Sequence, residues 1–210
     1  MTNSYELFLF LKEKNLLENS PLHWWPNYGT FETVVGAILT QNTKWTNVEK
    51  SLQNLHQYNL ISLETLSNAH LPLLIQAITP SGFKNQKATR LKVLCQNIQH
   101  TFGDFETFQE EVSRTWLLKQ KGIGEETADA ILCYACKKEE MIVDKYTQKL
   151  LHSFGFEFES YEELKQWCEY GINENFDKII QLYGYEITLN QLYCRFHGKI
   201  VEFMKQNPRV

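Results

Sequence analysis

The stretch Leu117-Leu118-Lys119-Gln120-Lys121-Gly122-Ile123-Gly124-Glu125-Glu126-Thr127-Ala128, followed one helix later by Val143-Asp144-Lys145-Tyr146-Thr147, decides how this chain reads. Two glycines around an isoleucine allow a tight turn and a close backbone approach to another molecule, while Ile123 anchors the turn in a core. Apolar periodicity on both sides (Trp116, Leu117 and Leu118 before; Ala128, Ile131, Leu132 and Ala135 after) makes it a turn between two helices. At the start of a helix running from Glu125 to Cys136, orphan N–H groups and the helix dipole favour an anion such as a phosphate. Lys121, Gly122 and Gly124 are therefore the candidate phosphate-binding residues, and Asp144 supplies an isolated carboxylate.

The pairing of a helix-turn-helix hairpin with a following Asp resembles the helix-hairpin-helix DNA glycosylases of the endonuclease III group. The likeness extends outward from the hairpin. Ala37-Ile38-Leu39-Thr40-Gln41-Asn42-Thr43-Lys44 is similar to that family's loop in which a Gln fills the hole left by an extruded base, and Ser81-Gly82-Phe83-Lys84-Asn85-Gln86-Lys87-Ala88 to its second DNA-wedging loop. One departure is Lys121, where the family often has Pro.

Composition is compatible with this. The 210 residues, 43% apolar and 13% aromatic, suffice for one or two compact lobes. No run approaches the roughly 18 to 20 apolar residues of a membrane span, and the N-terminus lacks the pattern of a signal peptide, so the expected compartment is the cytoplasm, at the bacterial nucleoid during action. Five cysteines, mostly within helical patterns, predict core thiols rather than a disulfide framework. The net charge of −4 is unusual for a DNA binder. Residues 156 to 177, however, hold seven acids against Lys165, a local −6 that leaves the remainder at +2. Lys84, Lys87, Arg90 and Lys92 form a basic cluster, read either as a solvated helix face or as part of a DNA-facing surface.

Helical spacing recurs nearly throughout, with no competing strand pattern. Ser4 is the expected cap of the first helix, Pro80-Ser81-Gly82 a chain break, and Gly103, Gly155 and Gly171 the expected punctuation of later helices. The fold class is thus all-α. The resemblance implies two lobes: residues 24–140 as a helical barrel ending in the hairpin, residues 1–23 plus 141–210 as the second lobe, and the active site with Asp144 in the cleft between them.

Cleaving an N-glycosidic bond develops positive charge on the sugar, which an ionised carboxylate stabilises while orienting or deprotonating water. Asp144 is the candidate catalytic residue; it is equally suited to cap the helix that follows, and one side chain can do both. Bifunctional relatives carry a Schiff-base Lys where this chain has Glu126, and a carboxylate forms no imine. Glu126 complements the dipole of its helix or contacts the base. The four-Cys iron–sulfur cluster common in those relatives has no counterpart after Gln181, where only Cys194 remains, so neither cofactor nor metal is expected.

Trp24, Trp25, Pro26 and Trp45 offer rigid apolar surfaces, read as a base pocket or as core. Indole faces attract a flat cation by about 0.5 to 2 kcal/mol, and N3- or N7-alkylated purines are cationic with weakened glycosidic bonds. Gln41 and Phe83 are the expected DNA wedges, with a loop hydrogen-bonder and a core residue as their alternatives. Lys199 shares the apolar stripe of the last helix; if buried, its amine needs a carboxylate partner, or loses its proton more easily and becomes open to modification, for example by carbon dioxide.

The expected protein is a monomeric, monofunctional glycosylase acting on double-stranded DNA with damaged bases, N3-methyladenine foremost, and closest to the bacterial N3-methyladenine glycosylases of this branch. The alternatives are a mismatch glycosylase for adenine or thymine, a bifunctional glycosylase/lyase, and a non-catalytic DNA-binding module.

Overall fold

The computed structural model describes residues 1–209, and every regular element among them is helical. Contacts divide the chain into two compact units, residues 27–137 and residues 1–26 joined by 138 onward.

In the 27–137 unit, the helix Phe31–Leu39 buries nearly all of its residues, as a helix apolar on every side must. Around it, Trp45–Gln57 buries Val48, Ser51, Leu52 and Leu55, and Lys84–Phe102 buries Lys87, Ala88, Leu91, Leu94, Cys95 and Ile98, each a stripe at three- and four-residue spacing. Fully burying each Leu or Ile of these stripes contributes about 1.5 to 3 kcal/mol. The hairpin is formed by Arg114–Leu118 and Glu125–Ala130. The Arg114 Nε donates to the fully buried Asp129 carboxylate at 2.7 Å, joining the two short helices. From Ile131 to Ala135 the second helix widens into a π-turn rather than continuing as α-helix, with the Cys136 N–H reaching the Ile131 carbonyl at 3.0 Å.

In the other unit, the helix Ser4–Lys12 packs on Tyr161–Asn173 and on the long tail helix Leu189–Gln206, which also carries Lys145–Ser153. Two local expectations fail here for one reason. Asn3, not Ser4, caps the first helix, accepting the Glu6 N–H, because Ser4 is fully buried against Gly171. Gly171 in turn lies inside the helix Tyr161–Asn173 instead of ending it. A Cβ there would come within 2.9 Å of the Ser4 backbone nitrogen, so the glycine serves the close approach of two helices.

Candidate active site and nucleic-acid interface

Asp144 precedes the helix Lys145–Ser153 and caps it: its Oδ1 accepts the Thr147 N–H at 2.8 Å and the Thr147 hydroxyl at 2.9 Å. Its Oδ2 takes no part in the cap and faces His197 Nε2 at 3.4 Å. Burial alone would raise the carboxyl's pKa. The His197 ring and the Thr147 donors outweigh that push and hold it below the ordinary value, so Asp144 stays ionised.

His197 comes from the middle of the tail helix, and its ring meets Trp24 edge-on with centroids 5.4 Å apart. Trp24 holds a left-handed backbone (φ 64°) and lies on Gly198, where a Cβ would come 2.5 Å from the indole Cγ. It also meets Trp25 edge-on at 6.2 Å and has the Lys205 ammonium 6.0 Å from its ring centre, at the outer edge of cation–π range. Asp144, His197 and Trp24 thus form one chain of neighbours. Trp25 is buried and Pro26 exposed. All three residues of Trp24-Trp25-Pro26 group with the tail-helix unit, not with residues 27–137 where Trp45 resides.

Lys199 is buried, and burial, followed by the charges of Arg195 and Lys12, lowers its pKa to about 8. His197 is the site residue that sequence reasoning missed. Its signal was present: it stands two positions from Lys199, on a tail helix with too few cysteines to be organised by a cluster.

Within the 27–137 unit the hairpin turn shows why its two glycines differ. Gly122 takes φ +85°, which demands glycine; a Cβ there would also lie 2.7 Å from Arg90 Cζ, a flexible side chain that would have to move aside. Gly124 is extended (φ −95°), with nothing within 4 Å of an added Cβ. It begins Glu125–Ala130 without a side-chain cap hydrogen bond, and Lys121, three positions earlier, is exposed. Glu126 is exposed in the first turn of that helix. Gln41 is tied to the hairpin: its Nε2 donates to the Gly122 carbonyl at 2.9 Å and to Thr127 Oγ1 at 3.0 Å. Phe83 is 63% exposed with a left-handed backbone (φ 46°), so it is no core residue. Lys87 departs from the basic cluster in which it was grouped, because it is 1% exposed.

All five cysteines are buried, and among the described residues no three His, Cys, Asp or Glu side chains gather as a metal site. Nor is any described helix long and apolar enough to cross a membrane. A cavity of about 840 Å³ beside Phe31, Ile61 and Phe105 is lined by none of the candidate site residues.

The profile of the HhH-GPD superfamily of base excision DNA repair proteins matches residues 35–174, two-thirds of the chain, taking in Gln41, Phe83, the hairpin and Asp144. The chain belongs to this superfamily. It is 49% identical to an H. pylori 3-methyladenine DNA glycosylase (MagIII) solved with bound 1,N6-ethenoadenine, with a TM-score of 0.96 over 98% of both chains. That match extends beyond the profile's limits to Trp24, His197 and Lys199. A Methanocaldococcus jannaschii protein carrying the name DNA repair glycosylase is 36% identical over 88% of this chain and 80% of its own length. An endonuclease III–DNA complex, 19% identical with a TM-score of 0.70 over 97% of this chain and 86% of that one, shares the fold. The all-helical helix-hairpin-helix glycosylase fold and a place in base excision repair follow from these matches.

Proposed function

We propose that this HhH-GPD protein is a monofunctional DNA glycosylase that hydrolyses the N-glycosidic bond of alkylated purines, N3-methyladenine foremost, in double-stranded DNA. The observation that carries this reading is the division of labour within Asp144: one oxygen holds the helix, while the other stays outside the cap beside His197, in a carboxylate kept ionised and so able to stabilise a developing oxocarbenium charge. Phosphate contacts by Lys121, Gly122 and Gly124 give sequence-independent binding, while Gln41 and Phe83 support the duplex from which the base is drawn.

For the substrate class, the support lies in the indole faces of Trp24, Trp25 and Trp45. Trp24 is half-buried against His197, the partner of Asp144, and its electron-rich ring is the kind of surface that a cationic purine asks for. Alkylation makes the base a good leaving group, so no strong acid is required opposite Asp144. Glu126 in place of an amine supports hydrolysis without strand cleavage. We further propose that the enzyme works as a monomer without an iron–sulfur cluster, in the cytoplasm, and that the buried Lys199 amine is open to modification by carbon dioxide. Incubation with methylated DNA and chromatography of the released bases tests the reading: N3-methyladenine is expected, with no borohydride-trapped adduct. Release of only a mismatched normal base would overturn the substrate; a trapped adduct would overturn the monofunctional assignment.

A further inference from the structure

Lys87 is a lysine with no surface role. It is 1% exposed in the first turns of Lys84–Phe102, yet its Nζ donates to the Leu39 carbonyl at 2.7 Å and to the Ser81 carbonyl at 2.8 Å. Both acceptors are the last residues of helices, Phe31–Leu39 and the 3₁₀ turn Thr79–Ser81, where carbonyls lack partners within the helix and the dipole favours a cation. One ammonium therefore closes two helix ends at once.

What begins at those two ends gives the contact its significance. After Leu39 the chain runs through Thr40 to Gln41 and the left-handed Asn42 (φ 53°); after Ser81 it runs through Gly82 (φ 69°) to the left-handed, exposed Phe83. Asn enters this region readily, but a bulky residue such as Phe83 persists there only where its surroundings over-determine it. The surroundings are visible on both sides. Gln41 is held from the hairpin by Gly122 and Thr127, Ser81 Oγ donates to Ser51 Oγ at 2.7 Å, and Lys87 spans the gap between the two loop roots. Burying the ammonium is costly enough to lower its pKa to about 8, so a lysine here is not a neutral packing choice.

We infer that Lys87 is a positioning residue that couples the Gln41 and Phe83 loops at their roots, so that the two side chains meet a duplex as one rigid pair. This rests on the reading of Gln41 and Phe83 as DNA wedges, and the test separates the two claims.

The full chain is prepared as wild type, Lys87→Met and Lys87→Gln, and read in two ways: hydrogen exchange of the free protein, and fluorescence of a purine analogue placed opposite a stable abasic-site mimic in duplex DNA. In Lys87→Met the amides of residues 40–43 and 82–84 should exchange at least ~10-fold faster while those of Lys145–Ser153 are unchanged. Most of the fluorescence rise on binding should vanish, with affinity for undamaged duplex kept within about 2-fold because phosphate contacts are intact. Lys87→Gln, which retains a donor but is shorter, should fall between, and it carries the test alone if Lys87→Met does not fold. Unchanged exchange in both loops, or acceleration spread evenly over residues 27–137, overturns the inference. Should Gln41→Ala and Phe83→Ala leave the fluorescence rise intact, the wedge reading fails, and the exchange data still judge the coupling by Lys87.

Discussion

Asp144 and His197 face each other across 3.4 Å, Oδ2 to Nε2, while the other oxygen of the same carboxylate caps its own helix. This relationship makes the charge of Asp144 depend on a residue more than fifty positions away. Removing the ring nitrogens with His197→Phe leaves the upward push of burial opposed only by Thr147, so the carboxyl pKa rises. The acid limb of the single-turnover excision rate should move to higher pH, with the rate above that limb reduced far less. An acid limb that does not move would show that His197 serves packing alone. Stability contributed by the depressed pKa is present above the ordinary carboxylate value and lost as pH falls through the folded one, and the variant loses part of it.

Asp144→Asn keeps a side chain that caps well, whereas Asp144→Ala does not. The Asn variant should nearly abolish base release with stability and DNA binding preserved; the Ala variant should additionally lose about 1 kcal/mol of stability. Equal activity in Asp144→Asn and wild type would leave the residue a cap and nothing more.

The hairpin glycines offer a control on themselves. Gly122→Val faces a left-handed backbone and the Arg90 side chain, so it should unfold more easily as well as bind DNA poorly. Gly124→Val meets neither obstacle, though Val is a poorer N-cap than Gly, and should cost no more than about 1 kcal/mol of stability. It should still weaken binding to damaged and undamaged duplex alike, since the obstructed contact is to phosphate. Unaltered binding by Gly124→Val would remove this turn from the interface.

The turn, its two helices and the capping place of Asp144 were legible because each rests on local chemistry: Gly122 at a φ that favours glycine, apolar spacing, and an N-cap. What stayed hidden depends on residues distant in sequence. Ser4 loses its cap role to Asn3 because of Gly171, Lys87 leaves the basic surface to serve Leu39 and Ser81, and His197 joins the site only when the tail helix packs on Lys145–Ser153. No periodicity along one segment encodes such meetings. Gly198 is the nearest thing to a local sign, since a glycine in the middle of a long helix marks a close approach, here by Trp24.

Two of the three buried lysines should give the protein an unusual pH profile. Lys87 and Lys199 both titrate near 8, below their unfolded value of 10.5, so the folded state binds fewer protons than the unfolded one between those limits and stability rises with pH there. Burial raises the Cys95 and Cys168 thiols well above their unfolded value of 9.0, which subtracts stability beyond that pH. Chemical denaturation should therefore show a gain of about 1 to 2 kcal/mol between pH 8 and 9 and none beyond. Lys87→Met should roughly halve the gain. A flat profile from pH 8 to 9 would mean that these amines are solvated.

Selection for a cationic base is the most exposed part of the functional proposal, and the tryptophans decide it. Free N3-methyladenine is neutral, whereas the nucleotide in DNA is cationic, so an indole face helps before the bond breaks and less afterwards. Trp24→Ala and Trp45→Ala should then impair excision of cationic lesions more than binding of an abasic mimic that presents no base, and Trp25→Ala should do the same if the buried ring contributes a face. Gly198→Ala provides a variant that keeps the indole but displaces it, because its methyl would come 2.5 Å from Trp24 Cγ. It should follow Trp24→Ala in direction at smaller size. The informative quantity is the ratio of single-turnover excision rate to abasic-mimic affinity, compared between a cationic lesion and a neutral one. Stacking on charge predicts that the ratio falls for the cationic lesion alone. A parallel fall for both would indicate shape recognition by the indoles, and unchanged excision in folded Trp24→Ala and Trp45→Ala would return both rings to packing, with Asp144 and the hairpin still in place and the substrate to be sought among neutral bases.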